Sequence, residues 1–124
     1  MKLIEEYLQT LQEQFNPAIR IASVKGEMNE DWVNCFEARC ERYEVSYEKK
    51  FCKANCVITS TRRAVARLGA LRGQCNKAQH PESCLNQIES TIKSLNKKIE
   101  NAREDQRDAR EKAIEFRRKE AGGI

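Results

Sequence analysis

Apolar positions recur along most of this chain at alternating steps of three and four, the spacing that lines one face of a helix. Near the start, Leu3, Ile4, Tyr7, Leu8, Leu11 and Phe15 follow it, which predicts an amphipathic helix over 2–15. Asn16-Pro17 closes that helix, because a residue before proline is driven out of the α region. The same pair starts the next element, with Asn16 as N-cap and Pro17 in the first helical position. A short helix over 18–25, stopped by Gly26, is expected there. A short strand with Ile19 and Ile21 on one face is the alternative.

From Asn29 to Gly73 there is no proline, and glycine stands only at Gly69 and Gly73. Asn29 reads as an N-cap, with Glu30 and Asp31 favourable in the first turn. Val33, Phe36, Cys40, Tyr43, Tyr47, Lys50, Ala54, Val57, Thr61, Ala64, Leu68 and Leu71 then form one heptad seam, weakened by Lys50 and Thr61. A loop over 74–83 carries His80-Pro81. Beyond it, Leu85, Ile88, Ile92, Leu95, Ile99, Ala102, Gln106, Ala109, Ala113 and Phe116 step by three and four without a miss. Sustained over about four heptads, this predicts a coiled-coil helix of about 50 Å, ended by Gly122-Gly123. The short connection makes the two long helices antiparallel neighbours. The expected fold is therefore all-α: an antiparallel coiled-coil helical hairpin over 29–119. A docking helix and linker over 1–28 precede it and a tail over 120–124 follows, with disulfides as staples.

The six cysteines raise the question of redox state. Cys75 falls in the last turn of one long helix and Cys84 in the first turn of the next. A disulfide there pins the hairpin tip and contributes about 2–4 kcal/mol by restricting the unfolded chain. The other four read Cys35-x4-Cys40 and Cys52-x3-Cys56. If the chain turns near Glu44-Val45-Ser46, the two segments form a small hairpin, riveted by Cys35–Cys56 and Cys40–Cys52. This arrangement resembles the twin-CX3C pattern of the small mitochondrial intermembrane-space chaperones over about 22 residues, with a first spacing of four in place of three. The resemblance implies import without a cleaved signal and a small helical chaperone. If the helix instead runs on through 31–74, Cys52 and Cys56 lie one turn apart, facing another helix or another chain. A zinc site is the third reading, although neither pair has the C-x2-C spacing usual for zinc knuckles. No metal or other cofactor is expected.

Composition narrows the class. Charged residues make up 34% and aromatics 6%, at a mean hydropathy of -0.78, which suits long helices with narrow seams more than a thick globular core. No apolar run is long enough to span a bilayer. MKLIEEYLQTLQEQF has glutamates where a secretory signal needs a continuous apolar run, so neither a signal nor a transit peptide is read here. Oxidised cysteines without an export signal point to a particle that leaves the cell, or to a compartment reached without a cleaved leader. In a reducing cytosol the cysteines would instead bind metal, the context that favours the zinc reading.

The net charge of +4 is unevenly placed. Residues 27–48 hold seven acidic against two basic residues, and residues 49–81 hold eight basic and no acidic ones. Opposed blocks of this kind steer and register protein contacts. Arg62, Arg63, Arg67 and Arg72 are the candidates to contact phosphates or an acidic protein surface, the latter favoured for want of interleaved aromatics. Catalysis finds little footing: His80 is the sole histidine, and no phosphate-binding loop or nucleophile motif is present. Cys52 or Cys56, near Lys49, Lys50 and Lys53, would be the reactive thiol if one existed.

Trp32, Phe36, Tyr43, Tyr47 and Phe51 at helical spacing read most simply as core beneath the N-terminal helix, through Tyr7, Leu11 and Phe15. As interface anchors they would dock a partner. The expectation is a non-enzymatic structural subunit of a large assembly, with a virus or bacteriophage particle favoured. Its partners are other subunits or copies of itself, and not a membrane. A nucleic-acid-packaging helper using 49–77, or a small cysteine-motif chaperone, stands as the alternative.

Overall fold

The computed structural model describes residues 15–122. The helix expected over 2–15, with Tyr7 and Leu11, lies outside them, except for Phe15. The described chain forms three α-helices: α1 (Pro17–Arg39), α2 (Ser46–Leu71) and α3 (Pro81–Gly122). A 3-10 helix, Arg72–Lys77, leads out of α2. The fold is all-α, an antiparallel helical hairpin of α2 and α3 with disulfide staples. Among the described residues, no helix is long and apolar enough to cross a membrane.

α1 starts as its sequence dictates. Asn16 is extended (φ -104°, ψ 106°), and its Oδ1 accepts from the backbone N–H of Ala18 and Ile19 at 3.1 and 3.4 Å. Pro17 follows at the position where a missing N–H costs nothing. The helix then runs through Gly26 and Asn29, so neither the stop at Gly26 nor the N-cap at Asn29 is realised. The reason is tertiary. Ile21, Val24, Met28 and Cys35 fall on one face at helical spacing, and Val24 and Met28 are buried. One mid-helix glycine costs only about 1 kcal/mol relative to alanine, less than burying those two side chains returns.

The break falls at Cys40–Val45, so the helix is not continuous through 31–74. The N–H groups of Cys40 and Glu41 both donate to the Phe36 carbonyl, at 2.8 and 3.1 Å, and Tyr43 N–H donates to the Cys40 carbonyl at 3.1 Å. The turn contains neither glycine nor proline. It folds α1 back along α2 because α2 has two faces to bury. Ala54, Ile58, Ala64 and Leu68 meet α3 or the shared core, while Cys56 and Ser60 line the α1 side. A single long helix would have left the second face in water.

α3 realises its seam over Ile88, Ile92, Leu95, Ile99, Ala102 and Ala109, all buried. Its ends differ from the expectation. Leu85 is 37% exposed and Phe116 50% exposed, and fully buried Cys84 takes the first seam position. The expected loop over 74–83 shrinks, since Pro81 already opens the helix and Cys84 N–H donates to the His80 carbonyl at 2.9 Å. Thr61, flagged as a weak point of the α2 seam, is fully buried, and its Oγ1 finds no hydrogen-bond partner among the described residues.

The core divides into two clusters. The larger lies toward the Cys75–Cys84 end and draws on α1 (Val24, Met28), α2 (Ala64, Leu68) and α3 (Ile88, Ile92, Leu95), with Phe15 closing it. The smaller consists of Ala54 and Ile58 on α2 against Ile99 and Ala102 on α3.

Candidate functional site

Four cysteines converge where α1 ends against α2. Cys35 lies in the last turns of α1, Cys40 caps that helix, and Cys52 and Cys56 stand one turn apart on α2. Cys35 is bonded to Cys56 and Cys40 to Cys52, with Cα–Cα distances of 5.6 and 5.5 Å, inside the range that disulfides bridge. The bonds are nested around the 40–45 turn. Cys52 and Cys56 thus bond within the chain, and the reading that sends them to another chain does not hold. The two disulfides touch: Cys40 Sγ lies 3.7 Å from Cys56 Sγ, and both residues are buried. The third bond, Cys75–Cys84, spans 5.6 Å between Cα atoms and joins the 3-10 helix to the first turn of α3. All six cysteines are paired.

Beside the sulfur cluster runs a groove of about 330 Å³ between α1 and α2, with Asp31, Arg39 and Arg63 among its charged lining. It shows where the charge blocks go. The turn lays the acidic stretch of α1 antiparallel to the basic stretch of α2, and Glu27 forms an ion pair with Arg67. Part of the charge asymmetry expected to reach for another copy is thereby met within the chain. Arg62 and Arg72 remain exposed, as does Arg63.

The aromatic residues do not form one cluster. Phe15 is buried at the Cys75–Cys84 end, where its N–H donates to the Lys77 carbonyl at 3.4 Å. Tyr43 and Tyr47 sit at the other end of α2, which spans about 39 Å at ~1.5 Å per residue. Trp32 and Phe36 are half-buried on α1, and Lys53 Nζ stands 5.5 Å from the centre of the Trp32 ring, a cation–π arrangement. Arg42 lies likewise 5.6 Å from the Tyr43 ring. Tyr47 packs against Phe116 of α3, with ring centroids 6.3 Å apart and planes tilted by 48°.

That last pair borders an open groove of about 360 Å³ lined by Tyr43, Tyr47, Phe51, Ala109 and Ala113, with Glu48, Arg110 and Arg117 at its edge. Sequence spacing placed Phe116 inside the seam. The structure leaves it half exposed, and one turn away from Arg110 and Arg117 Ile114 is 45% exposed. The signal was present in the small seam partners Ala109 and Ala113, which bring the helices close but offer an aromatic ring little cover. His80 is exposed in the α2–α3 connection, beside a groove shared with Asn16 and Ser83. Compared with protein-family models, with curated proteins and with solved structures, the chain matches none of them, so the reading of its site rests on its own geometry.

Proposed function

We propose that this protein is a non-enzymatic structural subunit of a macromolecular assembly, a disulfide-locked helical strut that presents one end to its neighbours. The observation that carries the reading is the distribution of covalent and apolar material. Three disulfides hold the helices in fixed register. The end farthest from the Cys75–Cys84 bond leaves Val45, Ile114 and Phe116 exposed beside half-buried Tyr43 and Tyr47. Aromatic residues on a rigid frame, rimmed by arginines, are what protein interfaces use as anchors. Rigidity laid down in advance also lowers the entropy lost on docking. A virus or bacteriophage particle is the assembly that suits such a part. It is built inside a cell and must persist outside, where disulfides are stable.

Sedimentation of the native source, followed by non-reducing mass spectrometry of the fractions, tests the proposal. The chain is expected in large particles with all three intrachain bonds intact. Phe116→Glu is expected to release it from those particles while its helicity and melting temperature stay unchanged. A chain that sediments only as a free 14.4 kDa monomer removes the strut reading.

A further inference from the structure

The sulfur cluster carries a second chemistry. We infer that the reduced protein binds one Zn²⁺ per chain through Cys35, Cys40, Cys52 and Cys56, so that metal replaces the two disulfides as the clamp between α1 and α2. The Sγ atoms of Cys40, Cys52 and Cys56 all lie within 4.8 Å of one another. In a tetrahedral site with Zn–S bonds of about 2.3 Å, adjacent sulfurs stand about 3.8 Å apart. The Cys40 and Cys56 sulfurs, which are not bonded to each other, are already 3.7 Å apart. Cys35 stands outside that triangle in the oxidised chain, but it is bonded to Cys56, so reduction frees a fourth sulfur beside it. Breaking each disulfide lets its two sulfurs move from about 2 Å to that same separation, a shift within reach of side-chain rotation.

Sequence spacing argued against zinc because neither pair is C-x2-C. The structure shows another route to convergence. Cys52 and Cys56 are an i, i+4 pair on one helix face, the spacing by which paired histidines on a helix hold zinc. The turn at 40–45 brings Cys35 and Cys40 against that pair, each bonded to one member of it. Four thiolates on Zn²⁺ leave a net charge of two minus. Arg39 and Arg63 line the adjoining groove against a single acid there, Asp31.

The chemistry balances in two stages. A dithiol reductant gives two electrons and two protons to each disulfide and is itself oxidised to a disulfide, so two equivalents free four thiols. Zn²⁺ then forms four Zn–S bonds and displaces four protons to solvent, with no electron transfer. The hairpin is thereby held by sulfur in both redox states: by metal where the chain is made in a reducing compartment, by disulfides where it meets oxidant. The inference does not depend on the strut reading, because its test reads metal at sulfur and no partner.

The test is a Co²⁺ titration of the full chain, reduced anaerobically with a trialkylphosphine, which takes up the oxygen of a water as it cleaves each disulfide. One equivalent of Co²⁺ is expected to produce thiolate charge-transfer bands and the intense visible bands of a tetrahedral site, both bleached by Zn²⁺. Cys40→Ser and Cys56→Ser are each expected to weaken Co²⁺ binding by about tenfold or more, since even outer-shell changes cost that much. The double variant Cys75→Ser, Cys84→Ser is expected to retain the full spectrum. Circular dichroism in parallel shows whether the reduced chain is folded before metal is added. The bands are expected in either case, because binding and folding of a metal-held hairpin are one equilibrium. Absence of tetrahedral bands, bands undiminished in Cys40→Ser, bands lost with Cys75 and Cys84, or one metal per two chains would each overturn it.

Discussion

The two ends of the rod are held together by different means. Toward Cys75–Cys84, all three helices meet: Val24 and Met28 of α1 share a core with Leu68 of α2 and with Ile88, Ile92 and Leu95 of α3. Toward the 40–45 turn, the core contains side chains of α2 and α3 alone, Ala54 and Ile58 against Ile99 and Ala102. There α1 is joined to α2 through Cys35–Cys56 and Cys40–Cys52. Apolar burial falls off along the rod, and nested covalent bonds stand where a third helix finds no shared core. A narrow, highly charged chain cannot bury enough surface along its whole length, and cross-linking the unfolded state is the remaining source of stability.

The largest expected effect tests that division directly. Replacing Cys35, Cys40, Cys52 and Cys56 together by alanine is expected to cost about 6 kcal/mol, a loop-closure value of about 3 kcal/mol for each of the two bonds. Hydrogen exchange is expected to place the loss, with amides of 31–40 opening while those around Val24 and Met28 stay protected. Uniform loss of protection along α1 would erase the distinction between the ends. Next in size, Leu68→Ala is expected to cost about 3 kcal/mol and Ile99→Ala about 2 kcal/mol, read as shifts of the urea midpoint. Leu68 is fully enclosed, so its loss leaves a cavity, whereas the two-layered seam around Ile99 can close in. Equal costs would mean that the second cluster is packed as tightly as the first.

Thr61 lies between the clusters and sharpens the comparison from inside the seam. Its hydroxyl is buried without a partner, and such a group costs about 1–3 kcal/mol in desolvation. Thr61→Val keeps the shape and removes the hydroxyl, so a gain of about 1 kcal/mol in denaturant midpoint is expected. A loss would mean that water or another polar group reaches Oγ1 in solution.

The hairpin of α2 and α3 was legible because its signal is periodic and local. The run from Ile88 to Ala109 has no competing interpretation, and Cys75 and Cys84 fall where the short connection requires them to meet. The continuation of α1 through Gly26 was hidden because glycine reads as a stop, while the case for continuing rests on Val24 and Met28 meeting α2 and α3. The 40–45 turn was hidden for the opposite reason: nothing in Glu41-Arg42-Tyr43-Glu44 breaks a helix, and the turn exists because α2 buries a second face. The nested pairing followed only if the chain turned there. The contact between the two disulfides depends on helix packing that no spacing encodes, and the exposure of Phe116 on how thin the alanine seam is.

The smallest effect concerns the charge blocks. Folding α1 onto α2 lays the acidic stretch alongside the basic one, yet among the described residues the ion pair between them is Glu27–Arg67, with side chains 55% and 48% exposed. A pair in that setting gains little over its hydrated partners and is screened by salt, so Glu27→Gln is expected to cost a few tenths of a kcal/mol at low salt and nothing measurable at high salt. A thermal melt at two ionic strengths measures it. A cost above about 1 kcal/mol that persists in salt would exceed what exposed pairs contribute. It would mean that electrostatic registry, as well as Val24 and Met28, sets where α1 lies on α2, and that the three-helix end owes part of its order to charge. The expected small value leaves the register to the buried side chains at one end and to sulfur at the other, with the charge blocks acting on approach.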